Sequence, residues 1–192
     1  MSPKPQRDRL TYVLVAIIVL MGIEIIYLVI QNRRLSGIIG DPKKYFQTLS
    51  TDETVPSFTA RDINGKDLSV RYSSSEPYRV LFWFGPTCDY CKENIAFWKR
   101  IDGDYESDHI KTLGMFAGNI AEAKEYVAEY ALEFPVVCAD NSYIVDVYKG
   151  HVLPQTVLID PLGVIRGIWP GVLDEGMKET IIARLESLKP QQ

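Results

Sequence analysis

The chain opens with one long apolar run and then alternates between the hydrophobic periods of strands and helices. From Leu10 to Ile30 the sequence LTYVLVAIIVLMGIEIIYLVI is apolar at almost every position, and wound as a helix it is roughly 30 Å long, the thickness of a bilayer's hydrocarbon core. A core helix is rarely apolar on every face. A cleaved signal peptide has an apolar core of about 7–15 residues followed by a small-x-small site, whereas QNRRLSG follows this run. The pattern predicts an uncleaved transmembrane anchor at 10–30 behind a short N-terminal tail at 1–9. Glu24 lies inside the span, where an ionisable group costs at least ~2.5 kcal/mol unless it is neutral or partnered; contact with a membrane partner and no role at all both fit it. Lys4, Arg7 and Arg9 precede the span, and Arg33, Arg34, Lys43 and Lys44 follow it. The positive-inside rule therefore selects no orientation.

Residues 31–54 show no clear apolar period and are broken by Asp41-Pro42, as expected of a juxtamembrane linker to a domain at 55–192. PSFTARDINGKDLSV gives two short alternating runs around Asn64-Gly65, which predicts a hairpin with a type I′ turn, both turn residues at positive φ. RVLFWF (79–84) is a buried strand, and Cys91, Ile95, Trp98 and Ile101 then recur at helical spacing. HIKTLGMFAG (109–118) reads as a strand, and Ala123, Val127, Tyr130 and Ala131 as one face of a helix. FPVVCA (134–139) is a further strand, followed by a short segment to Lys149-Gly150. QTVLIDPLGVIRGIW gives two strands around Pro161-Leu162-Gly163, and Leu173, Met177, Ile181, Leu185 and Leu188 mark a last helix. This order predicts an α/β domain, a central mixed β-sheet flanked by helices with an N-terminal β-hairpin.

Composition removes one class of partner. The net charge is −4 and basic residues occur only in short clusters, so the chain lacks the electrostatic footprint of a nucleic-acid binder.

The candidate chemistry lies in GPTCDYCKEN. Cys88 falls where a strand turns into a helix, whose free N–H groups and positive dipole end favour a thiolate. Cys91, one turn on, is placed to attack a mixed disulfide formed at Cys88 and release its partner. Cys88 attacks and Cys91 resolves. Asp89 beside Cys88 disfavours the thiolate and, with Tyr90, tunes the pair toward reduction, unless Asp89 turns to cap the helix. Zinc would need four ligands, and beyond the pair the chain has only Cys138, His109 and His151 with no second C-x-x-C. Haem attachment would need His where Lys92 stands. A purely structural disulfide remains open, although closing two intervening residues restrains the unfolded chain little. Cys138, in an apolar run, reads as a small core residue, and His151 as a groove-rim or merely solvated loop residue. No metal and no cofactor is expected.

VPSFTARDINGKDLSV, VLFWFGPTCDYCKEN and VLPQTVLIDPLGVI, in that order and spacing, resemble the membrane-anchored thioredoxin-like redoxins of the TlpA/ResA type within the AhpC/TSA superfamily. The approach to the cysteines is also similar to the MauD-type methylamine-utilisation accessory protein. The resemblance implies a thioredoxin-like fold, with Pro154 as a cis-proline facing the cysteines and Leu153 offering backbone groups to a substrate peptide. Three positions depart from it. Phe82 stands where many thioredoxins carry a buried acid, Asn94 where the ResA type has Glu, with Glu93 one position earlier, and Thr87 where a tryptophan is usual.

The expected function is a single-pass, membrane-tethered thiol-disulfide oxidoreductase. Its domain lies outside the cytoplasm and reduces disulfides of client proteins, in cytochrome maturation or a similar assembly task, with electrons from a transmembrane donor. The alternatives are a chaperone-like or redox-inactive assembly factor on the same fold, and a thiol peroxidase. Gly85 and Leu81, at the positions where a peroxidase carries Thr or Ser and Pro, argue against the latter.

Overall fold

Apolar length alone makes the first element. The computed structural model describes residues 6–39 and 48–189 and divides into two units, Met1–Lys44 and Tyr45–Gln192. In the first, helix α1 (Gln6–Ile39) runs for 34 residues, past both ends of the predicted anchor. The part long and apolar enough to cross a membrane is Thr11–Gln31. Of the expected tail and linker, residues 1–5 and 40–47 lie outside the described residues.

The second unit begins its packing before Val55. Leu49 is buried in the core, the Asp52 N–H donates to the Ile165 carbonyl at 2.9 Å, and the Ile165 N–H donates to the Glu53 carbonyl at 2.8 Å. The last residues of the expected linker thus belong to the domain, a link carried by backbone bonds that apolar periodicity cannot show.

Strands β1 (Phe58–Asp62) and β2 (Asp67–Val70) form the expected antiparallel hairpin, but the turn differs from type I′. Only Gly65 has positive φ, at 79°. The Asp62 carboxylate instead accepts the N–H groups of Asn64 and Lys66, both at 2.8 Å, and these bonds hold its carboxyl below the usual range. An Asp side chain that captures the two N–H groups ahead of it builds a wider turn.

The remaining strands are β3 (Tyr78–Phe84), β4 (Ile110–Phe116), β5 (Val136–Cys138), β6 (Gln155–Ile159) and β7 (Ile165–Pro170). They form one sheet in the order β2-β1-β5-β4-β3-β6-β7. β3, β4 and β5 are parallel, and β6 and β7 run antiparallel at one edge. The mixed sheet was legible from the order of elements. β3 reads as a continuous apolar run because it is covered on both faces.

One face is packed by α2 (Cys91–Tyr105), α3 (Ile120–Tyr130) and α5 (Glu175–Ser187), through Ile95, Trp98, Ile101, Tyr126, Ile181 and Leu185. The other face is packed by the 49–58 segment and by α4 (Ser142–Val147), through Leu49, Val55, Phe58, Ile144 and Tyr148. Side-chain caps start three of these helices. Asn119 and Glu122 form a reciprocal capping box on α3, Asn141 accepts from the Tyr143 N–H, and Asp174 accepts from the Met177 N–H. This is a thioredoxin-like α/β fold.

Candidate active site

Register brings the site together. β3 ends at Phe84, and β6 starts at Gln155, which pairs with Trp83. The loop after β3 and the loop before β6 must therefore emerge side by side. Gly85 lies under Leu153, whose Cδ1 is 3.1 Å from where a Gly85 Cβ would stand. The Leu153–Pro154 bond is cis, the isomer the resemblance implies. Pro154 is buried, and its carbonyl accepts the Gly171 N–H at 2.7 Å.

Cys88 and Cys91 form a disulfide with an S–S distance of 2.05 Å. Cys91 opens α2 and is fully buried, whereas Cys88 is half-buried. Asymmetric access suits the attacking and resolving roles. Beside Cys88 lies an open groove of about 330 Å³ lined by Thr87, Cys88, Asp89, Tyr90, His151 and Leu153. Of the six residues singled out for this site, the groove gathers Cys88, Asp89, Tyr90 and Leu153; Cys91 and Pro154 lie beneath its surface. Tyr90 is 66% exposed and offers an apolar ring to a bound chain. Asp89 does not cap the helix. The N-cap residue is Tyr90, which makes no side-chain cap bond, and the Asp89 carboxylate accepts instead from Lys92 Nζ at 3.4 Å, which holds that ammonium's pKa up.

The departures from the resembled pattern have structural explanations. Phe82, at the position of the missing acid, is buried and stacks on Trp98 with ring centroids 5.3 Å apart. Trp98 Nε1 donates to Thr156 Oγ1 at 2.9 Å, and Phe82, Phe84 and Trp98 share one core cluster with Cys91. Asn94 spends its amide on structure. Nδ2 donates to the Gly171 carbonyl at 3.0 Å, and Oδ1 accepts the Leu173 N–H at 2.9 Å, tying α2 to the loop before α5. Glu93 faces solvent.

Sequence reasoning left His151 at the rim or in solvent, and the structure places it in the groove with its Nε2 2.9 Å from Asp146 Oδ1. The only signal was an acid and a histidine on either side of a helix-ending Lys-Gly pair, too common a pattern to stand out. Cys138 is fully buried, and burial, then Asp140, pushes its thiol pKa up. Among the described residues no cluster of three or more His, Cys, Asp or Glu side chains is placed to hold a metal ion.

Comparison with known proteins matches residues 51–168 to the AhpC/TSA family. The chain is 27% identical over 137 residues to the thiol-disulfide oxidoreductase ResA of Bacillus subtilis (strain 168), covering 68% of this chain and 73% of that one. Among solved structures it is similar to a thiol-disulfide oxidoreductase from Bacteroides fragilis NCTC 9343, with a TM-score of 0.60 at 22% identity over 71% of this chain and 100% of the other. StoA from Bacillus subtilis aligns with a TM-score of 0.55 at 21% identity, over 66% of this chain and 98% of that one.

Proposed function

The chain belongs to the AhpC/TSA family, and from that premise we propose that it is a membrane-tethered thiol-disulfide oxidoreductase. Its Cys88/Cys91 dithiol reduces disulfides of client proteins outside the cytoplasm. The supporting observation is the asymmetry of the pair: Cys88 opens onto a groove while Cys91, bonded to it, is buried at the start of α2. The relative in Bacillus subtilis carries the name of the same activity.

In this reading the Cys88 thiolate attacks a client disulfide, one client sulfur leaves, and Cys91 displaces the other by closing the bond seen here. Two electrons pass to the client. Leu153 and Tyr90 flank the bound segment, Pro154 shapes the wall beneath them, and Asp89 disfavours the Cys88 thiolate enough to keep the pair reducing. A transmembrane donor returns the electrons. The anchor at Thr11–Gln31 holds the exchange at the membrane.

The test is insulin reduction by the full chain in detergent, with its potential measured against a glutathione series. We expect turnover that Cys88→Ser abolishes, and a potential below about −200 mV. No turnover by the parent chain would favour the assembly-factor reading, and a potential near about −120 mV would reverse the direction.

A further inference from the structure

The strand that delivers Cys88 also fixes a histidine beside it. α4 ends at Val147 with Tyr148 as its C-cap, and the chain reverses through Lys149 in the left-handed region at φ 52°. The Gly150 N–H closes the turn on the Val145 carbonyl at 2.8 Å. Gly150 sits flat against Trp83 of β3, where a Cβ would come within 2.1 Å of the indole, so only glycine fits. This turn carries His151 back over α4 to Asp146 Oδ1 at 2.9 Å and into the groove that Cys88 lines. The imidazole and the carboxylate are both half-buried, at 22% and 34% side-chain exposure.

Exchange at a disulfide needs a thiolate to attack, and a proton or a positive charge near the sulfur that leaves speeds it. The positions that supply such groups in the resembled pattern do not supply them here: Phe82 is packed on Trp98, and Asn94 is bonded at both ends. The groove itself holds His151, Asp89 and Tyr90 as titratable neighbours of Cys88. Asp146 of α4 lies 2.9 Å from the imidazole, Asp89 of the cysteine loop lines the same groove, and Lys92 of α2 bonds to Asp89.

Resting on the oxidoreductase reading, we propose that His151 is the acid–base residue of the exchange at Cys88 and that Asp146 is its positioning residue. In the reduced protein the His151 imidazolium pairs with the Cys88 thiolate. Attack forms a bond between Cys88 Sγ and one client sulfur and breaks the client's S–S bond, and His151 gives its proton to the sulfur that leaves. Cys91 Sγ then bonds to Cys88 Sγ, the bond from Cys88 to the client breaks, and the Cys91 proton ends on the second client sulfur. The client gains two electrons and two protons, the protein becomes the disulfide, and solvent reprotonates His151.

The test needs no client. The reduced full chain in detergent is alkylated with iodoacetamide from pH 5 to 9, and the Cys88 adduct is followed by mass, in the parent chain, His151→Gln and Asp146→Asn. We expect the parent to react about tenfold faster than His151→Gln at pH 6, the effect of an opposite charge worth one pKa unit, with the curves converging at pH 9. Asp146→Asn should fall between them. Superimposed curves for the parent and His151→Gln would overturn the proposal; if that variant does not fold, superposition of the parent and Asp146→Asn does so. Failure of insulin reduction by a parent chain that shows the expected profile would instead strike the oxidoreductase reading, and leave the pairing of His151 with Cys88 in place.

Discussion

Asn94 and Gln155 are both fully buried amides within a few residues of the disulfide or the cis-proline. Asn94 uses both ends of its amide to join α2 to the loop before α5. Gln155, on the opposite face of the sheet, has neither amide atom bonded among the described residues, and Trp83 Nε1 across from it is likewise unpartnered. Removing a satisfied buried amide strands the groups it served, whereas removing an unsatisfied one relieves a desolvation cost of about 1–3 kcal/mol. Asn94→Leu should therefore lower stability by about 2–4 kcal/mol, because it strands the Gly171 carbonyl and the Leu173 N–H. Gln155→Leu should raise stability by about 1 kcal/mol. Urea titrations of the two variants against the parent check the sign, and a destabilised Gln155→Leu would mean that its amide has a partner. The sequence reading sets Asn94 apart as a departure from the ResA-like pattern, but nothing in the linear chain told which amide would find partners. The Gly171 carbonyl and the Leu173 N–H lie 77 and 79 residues further on.

At the scale of elements, legibility followed how each element is specified. β3, β6 and the long helices were readable because burial writes itself into apolar period. α4 was not: six residues carry too little period, and its start depends on a single Asn141 cap. The two hairpins were readable in position but not in turn type. Asp62 and Asp160 each accept two N–H groups, and the turn glycines Gly65 and Gly163 stand at φ 79° and 84°. The cysteine site was legible because its two halves are local motifs; the His151–Asp146 pair was not, because it depends on the α4 turn fitting Trp83. α4 is also tied to the domain by a phenol. Tyr148 donates to the Pro56 carbonyl and lies 3.2 Å from the Tyr72 hydroxyl. Burial pushes Tyr72 up to about 12, and burial together with Tyr72 pushes Tyr148 further. Both ionise near 10 when unfolded. Their folded pKa values are raised, so the stability they contribute is fully present below pH 10 and is lost as pH climbs through 12, at about 1.4 kcal/mol per pH unit for each group. Tyr148→Phe should cost about 1 kcal/mol at pH 7 for the lost bond, yet lose stability less steeply between pH 10 and 12. Denaturant melts across that range read the difference, and parallel slopes would contradict it.

For the whole molecule, the proposed function joins the long apolar helix to the disulfide-bearing domain. A soluble thiol carrier draws on a reducing pool, whereas a tethered one is useful where such a pool is scarce and electrons arrive through the membrane. The 11–31 stretch is long enough to span, but its flanks carry positive charge on both sides, so side must be measured rather than read. The proposed function requires the domain outside the cytoplasm. In bacterial cells expressing the full chain, the protein should stay with the membrane after alkaline carbonate washing. External protease, in spheroplasts where an outer membrane is present, should digest the domain while leaving cytoplasmic markers intact. Release by carbonate would remove the anchor. Protection of the domain in intact cells or spheroplasts, with digestion only after lysis, would put Cys88 in a compartment already rich in thiols. The argument for a dedicated reductant would then fall, while the disulfide chemistry at Cys88 would stand.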